Sequence, residues 1–274
     1  MPIRMLASDL DGTLLRSDNT VSERTRAALR AAEAAGLVVA FVTGRPPRWL
    51  HEVAEATGHT GVAVAANGAL LYDLHTERVV AEHLLDPAAL GEVTRELRRA
   101  FPEVSFGVEY GLEFAYEPEY RHDWEITPVV DRHGRLMPPP VRDELAGLIA
   151  RPAIKLLARH RTADPDEFLA VATRLIGARA SLTRSGHSAL LEIAAPGVTK
   201  ATGLATLAAS RGIEQHEVAA VGDMPNDVAM LAWAGRGFAV ANAHPSAKAA
   251  ADEVIAANDD DAVADLIERL LAGN

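Results

Sequence analysis

The chain has no cysteine, which excludes disulfides and thiolate-held zinc. Lysine is nearly absent too: Lys155, Lys200 and Lys248 stand alone among 27 basic residues, the rest being arginine. In so lysine-poor a chain each lysine invites a question about its task. Positive charge is also outweighed, with a formal net charge of -11. That balance works against a nucleic-acid partner, because such affinity rests on phosphate neutralisation by Lys and Arg. A small anionic ligand stays open where positive charge is gathered locally. No apolar run is long enough to cross a bilayer, and Arg4 and Asp9 interrupt the start too early for a secretion signal. The expectation is a cytoplasmic protein without a membrane partner. What is present is ordinary globular material, 49% hydrophobic and 24% charged over 274 residues, enough for one large α/β domain or two domains.

The first apolar run, residues 3–8, reads as a buried strand that ends in Asp9-Leu10-Asp11-Gly12-Thr13. Two carboxylates one residue apart at a strand's carboxyl end would sit where open α/β sheets bind ligands. Gly12 allows a sharp turn, and the Thr13 hydroxyl is expected to hold that turn through local backbone groups. Ser22 caps a helix through Ala35, stopped by Gly36, and a second strand follows over residues 37–42. A helix over residues 47–57 and a third apolar strand, Val62 to Ala65, continue the alternation. Such alternation points to a parallel sheet with right-handed crossovers.

After Leu70 the pattern changes. Residues 70–84 read as a hairpin, Asp86-Pro87 starts a helix, residues 104–116 hold two strands around Tyr110-Gly111, and Pro138-Pro139-Pro140 precedes a short helical segment. Residues 153–158 form a strand, Asp164-Pro165 starts a helix, and residues 181–193 are strand-like. Phe106, Tyr110, Phe114 and Tyr116 read as the core and hairpin surface of this section rather than as an aromatic substrate box. Alternation returns after Pro196-Gly197, with Thr199 capping a helix from Lys200, a strand over residues 217–221, and a last helix that Asp259-Asp260-Asp261 would cap. The expected fold is α/β: a Rossmann-like, doubly wound parallel-sheet core, discontinuous over residues 1–84 and 190–274, with an inserted α+β cap domain over residues 85–189.

Asp9-Leu10-Asp11, Thr43-Gly44-Arg45, Lys200 and Gly222-Asp223-Met224-Pro225-Asn226-Asp227 each fall at a strand end or helix start, hence on one rim of a parallel sheet. A lysine in a helix's first turn opposes the macrodipole, so Lys200 calls for an anion nearby. The set Asp-Leu-Asp-Gly-Thr, Val-Thr-Gly-Arg-Pro, Gly-Val-Thr-Lys and Gly-Asp-x-x-Asn-Asp resembles the four motifs of the haloacid dehalogenase-like superfamily. With Asn67-Gly68-Ala69 after the third strand and an insert of about a hundred residues, the chain is similar to its Cof-type sugar-phosphatase branch, which carries a type IIB α/β cap.

The resemblance implies a Mg2+-dependent phosphatase for a small phosphorylated metabolite, a sugar phosphate first, with pyridoxal phosphate or flavin mononucleotide as other candidates. It assigns Asp9 as the nucleophile that forms an aspartyl phosphate and Asp11 as general acid and base. Leu10 and Gly44 backbone amides, the Thr43 hydroxyl, Lys200 and Asn226 would bind phosphate. Mg2+ would lie between Asp9, the Asp11 carbonyl and Asp223. Asp227 would orient the lysine or the metal shell. Arg45 would contact phosphate or leaving group, or sit in a salt bridge, and Asn67 would occupy a positive-φ turn or touch substrate. His187, near the return from the insert, is a further substrate candidate, against a reading as an ordinary surface histidine. Met224-Pro225 and Ala201 depart from the commoner family residues, which leaves local geometry beside Asp223 and Lys200 open. A phosphomutase using the same intermediate and a non-catalytic phosphometabolite sensor are the alternatives, and the oligomer would be a monomer or homodimer.

Overall fold

The computed structural model describes residues 2–120 and 136–273. Strand β1 (Met5–Ser8) runs into a turn over Leu10–Leu14, with Gly12 at φ 76°. Helix α1 (Glu23–Ala34) follows, capped by the Ser22 side chain on the Thr25 amide. Next come β2 (Val38–Phe41), α2 (Leu50–Thr57), β3 (Val62–Ala65), β4 (Leu70–Asp73) and β5 (Arg78–Glu82). The middle of the chain forms α3 (Pro87–Ala100), β6 (Ser105–Glu109), β7 (Phe114–Tyr116), β8 (Val141–Arg142) and α4 (Leu145–Leu148). It continues with β9 (Lys155–Arg159), α5 (Pro165–Ile176), β10 (Ser181–Thr183) and β11 (Leu190–Ala194). The last part holds α6 (Lys200–Ser210), β12 (Val218–Gly222), α7 (Val228–Trp233), β13 (Arg236–Ala239), α8 (Pro245–Ala250), β14 (Glu253–Val254) and α9 (Ala262–Ala272).

These elements form two compact units, one of Met1–Arg45, Glu52–Ala81 and Thr199–Asn274, the other of Pro46–His51 and Glu82–Val198. In the first unit a five-stranded parallel sheet has the order β14-β13-β12-β1-β2. Its central strands are buried throughout, which is why they read as continuous apolar runs rather than alternating ones. The order reverses between β1 and β12, the switch point outside which open α/β sheets bind ligands. Asp9 and Asp223 are the residues that follow those two strands.

The second unit is built on a six-stranded sheet, β10-β11-β9-β6-β7-β8, antiparallel except where β7 meets β8. Phe106, Val108, Leu156, Ala158, Leu191 and Ile193 alternate onto one buried face. The opposite face carries a buried charge network: Lys155 Nζ lies 3.1 Å from Glu109 and 2.7 Å from Glu192, and Arg48 bonds Glu109 at 2.7 Å.

Four local expectations change. β3 pairs antiparallel with β4 and meets β2 only through the parallel bridge Val42–Val64, so the parallel run stops at β2. Residues 181–193 are two strands joined by a turn rather than one stretch. The segment after Pro140 forms β8 before its single helical turn. Finally, the acids before α9 do not cap it: Asp261 is left-handed with no side-chain cap bond, and its carboxylate takes Arg16 at 2.8 Å. Asp259 instead accepts from the backbone and hydroxyl of Ser17.

One close approach holds the first unit's loops. After β3 the chain makes a tight turn over Ala66–Gly68, and a β-carbon on Gly68, at φ +99°, would stand 2.1 Å from the Thr199 carbonyl oxygen. Backbone cannot retreat as a flexible side chain can. Gly68→Ala should therefore lose about 2–4 kcal/mol of stability, read as a lower urea midpoint with an unchanged slope; an unchanged midpoint would mean that α6 can withdraw.

Candidate active site

Lys200 is the first residue of α6, and the Thr199 cap that starts the helix also fixes where the lysine leaves the backbone. Its ammonium is fully buried, 2.6 Å from Asp9 Oδ1 and 2.7 Å from Asp227 Oδ1. The other oxygen of Asp227 accepts from the amides of Asp223 and Met224 at 3.0 and 2.9 Å. Both oxygens of Asp227 are thus engaged by the protein itself. Asp9, Asp223 and Asp227 each offer a carboxylate oxygen within 4.8 Å of the others, an arrangement able to hold a metal ion.

The charges do not balance. Three buried carboxylates face one ammonium, since the other nearby cation, Arg45, is committed to Asp11 through two bonds of 2.8 and 2.5 Å. Burial pushes the Asp9 carboxyl well above its ordinary range, with Lys200 opposing and the charges of Asp227, Asp223 and Asp11 adding to the rise. Burial and the Asp227 charge likewise push Asp223 up to about 6. A hard cation with oxygen ligands would relieve that excess, and the all-carboxylate donor set fits one. Gly12 is part of the packing: a β-carbon there would lie 2.5 Å from Asp223 Oδ2.

The remaining candidates separate into two places. Thr43 and Asn226 are buried in the same unit as the acids, and the Asn226 amide donates to Asn67 Oδ1 at 3.0 Å. Thr43 Oγ1 accepts from the Arg45 amide at 3.1 Å, while the Thr43 backbone bonds Val64 and Asn67. Leu10 begins the turn after Asp9 and is buried; Gly44 lies half-buried between Thr43 and Arg45. Asn67 has φ 56° and ψ 31°, within the left-handed region that asparagine tolerates better than most residues. His187 is elsewhere: it is an exposed residue of the second unit, on the turn between β10 and β11.

Three contacts escaped the reading of the sequence. The Thr13 hydroxyl donates to Asp223 Oδ1 at 3.1 Å rather than holding local backbone. The Asn242 side chain bonds the Gly12 carbonyl at 2.8 Å, and the His244 amide bonds the Asp223 carbonyl at 2.7 Å. Asn242 and His244 follow β13, and their only signal was that this strand, too, ends on the ligand rim.

Comparison with known proteins gives the family of the chain. A family model described as haloacid dehalogenase-like hydrolase matches residues 6–267. The protein YxeH of Bacillus subtilis (strain 168) is 32% identical over 280 residues, covering 98% of each chain. From the same organism, the 5-amino-6-(5-phospho-D-ribitylamino)uracil phosphatase YcsE is 27% identical, over 97% of this chain and 94% of that one. Among solved structures, BT1666 of Bacteroides thetaiotaomicron, from a study of HAD-superfamily phosphatases, superposes with a TM-score of 0.78 at 25% identity, covering 98% and 95% of the two chains. The sugar phosphatase BT4131 of HAD subclass IIB shares the fold, with a TM-score of 0.79 at 22% identity over 97% and 98%. The chain belongs to the haloacid dehalogenase-like hydrolases. Within them it stands with the phosphoric monoester hydrolases.

Two outcomes follow from the charge imbalance. Lys200→Met strands three buried carboxylates and should cost about 3–5 kcal/mol in urea unfolding at neutral pH; a smaller loss would show that water reaches the cluster. The pH dependence has a definite sign. With Asp9 and Asp223 titrating above their unfolded values, the native state holds more protons than the unfolded chain between about pH 4 and 6. Stability from these groups is present below that window and is lost as pH rises through it. The chelator-treated protein should melt lower at pH 7.5 than at pH 5, and a divalent cation should restore the loss at pH 7.5. A flat profile, or no response to cation, would contradict the cluster's crowding.

Proposed function

We propose that this protein hydrolyses a small phosphate monoester through an aspartyl phosphate on Asp9, with Mg2+ held by Asp9, Asp223 and the Asp11 carbonyl. The observation that carries the reading is the buried Asp9–Lys200–Asp227 chain beside Asp223 at the sheet's switch point. The cation would offset the repulsion between nucleophile and phosphate dianion and polarise the phosphoryl group. Lys200 keeps Asp9 aligned and shares the charge of the transferring group. Asp227 keeps Lys200 in place while its other oxygen takes the amides of Asp223 and Met224, so it would orient the lysine or the metal shell. Thr43 uses a lone pair on the Arg45 amide, and its O–H proton is left to donate to a phosphoryl oxygen.

Asp11 would serve as general acid and base, with a restraint attached. Its carboxylate lies in the fork of the Arg45 guanidinium. As a base, Asp11 would take a proton from the water that hydrolyses the intermediate. Protonating the leaving alkoxide first requires Arg45 to let go, and in this reading the substrate's phosphate draws the guanidinium away.

The insert over residues 85–189, taken as a cap, would select the leaving group. Sugar phosphates lead for that role: BT4131 is a sugar phosphatase, and the named substrate of YcsE carries its phosphate on a ribityl chain, also a polyol. His187, exposed on a turn, is kept as a candidate contact to substrate. The setting proposed is the cytoplasm, and among the described residues no helix is long and apolar enough to cross a membrane.

The test is phosphate release from a panel of phosphorylated sugars, polyols and cofactors with Mg2+. Asp9→Asn should abolish release, and Asp11→Asn should slow it by about 10²–10⁴-fold. Isomerised product without free phosphate would favour a mutase. A folded native chain that binds phosphate monoesters and releases none would favour a sensor.

A further inference from the structure

Asn67 belongs to none of the loops that carry the acids, the lysine or the threonine, yet its turn touches the Thr43 and Asn226 loops and the start of the lysine's helix. Its amide donates to the Thr43 carbonyl at 2.9 Å, and the preceding Ala66 amide donates to the Arg45 carbonyl at 3.0 Å. Its side-chain oxygen accepts from Asn226 Nδ2 at 3.0 Å. The next residue, Gly68, presses on the Thr199 carbonyl at the start of the helix that bears Lys200. Asn67 itself is only 3% exposed.

From this lacing we infer that Asn67 is a positioning residue for phosphate binding: its side chain fixes the rotation of the Asn226 amide while its backbone fixes Thr43. The inference rests on the phosphatase reading above and deepens it. Asn226 is buried, and among the described residues its Oδ1 has no hydrogen-bond partner. Among the same residues, the bond to Asn67 is what holds that amide. The terminal torsion of asparagine is soft and broad, so an amide without this partner would rotate. One Nδ2 proton is spent on Asn67, and the second is thereby given a fixed direction. A direct substrate contact by Asn67 fits less well, because the residue is only 3% exposed.

The backbone and side-chain roles can be separated. Asn67→Gly removes the amide and keeps the left-handed turn without strain. Asn67→Ala removes the same amide and keeps the β-carbon, in a region that alanine tolerates less well than asparagine. Turnover of p-nitrophenyl phosphate with Mg2+, orthovanadate binding by calorimetry and thermal melting are measured for both variants. They are measured also for Asn226→Ala and for the double variant Asn67→Gly with Asn226→Ala. Misplacement of a phosphate donor by about 1 Å costs up to about 10²-fold.

Asn67→Gly should melt close to the native protein and lose roughly 10- to 100-fold in kcat/KM and in vanadate affinity. Asn67→Ala should lose as much activity while melting lower. The double variant should be no worse than Asn226→Ala alone. Asn67→Gly with native turnover and vanadate affinity, losses that follow melting temperature instead of the missing amide, or losses that multiply with those of Asn226→Ala would each overturn the inference. A native chain without turnover would sink the phosphatase reading instead, and the vanadate titration would still decide the role of Asn67.

Discussion

Three buried carboxylates gathered around one buried ammonium set the terms for the rest of the first unit. Ionised acids so close are tolerated only while Lys200 sits between Asp9 and Asp227 and while backbone amides saturate the remaining oxygen of Asp227. That requirement explains why the lysine opens a helix, where the macrodipole opposes it. The carboxylates supply the anionic surroundings that the helix end does not. It also explains the small residues nearby, since Gly12 leaves room for Asp223. The cluster is a store of unfavourable charge kept in place by the fold around it, as polar sites built for chemistry commonly are.

Rigidity of the rim comes from bonds between loops far apart in the chain. Thr13 and Asn242 reach toward the β12 and β1 loops, His244 holds the carbonyl of Asp223, and the turn at Ala66–Gly68 ties Thr43, Arg45 and Asn226 together. Each loop is short and follows a strand whose ladder fixes its origin. The sheet therefore sets the directions of approach, and these few bonds set the final ångström.

Much of the fold could be read from the chain because local signals agreed with one another. Ser22, Asp86, Asp164 and Thr199 each cap the helix that the sequence placed after them. The buried parallel strands announced themselves as unbroken apolar runs. The candidate residues at strand ends were legible for the same reason, because a strand's carboxyl end in an α/β sheet is a place as well as a local structure. Partners were not legible. Nothing in the spacing of Thr13 or Asn242 says which distant atom it meets, and the acids at 259–261 carried the composition of a cap while serving Arg16 and Ser17 instead. The antiparallel pairing of β3 was hidden too, since a short apolar run buried on both faces reads alike in either direction.

The scarcity of lysine has a practical consequence once burial is known. Lys200 and Lys155 are both enclosed, each ammonium paired with two carboxylates. Lys248, half-buried at the end of α8, is then the one lysine side chain within reach of solvent. Amine-directed chemistry on the folded protein would mark a single side-chain position. A fluorophore, a tether or a surface attachment at that side chain would need no engineered residue.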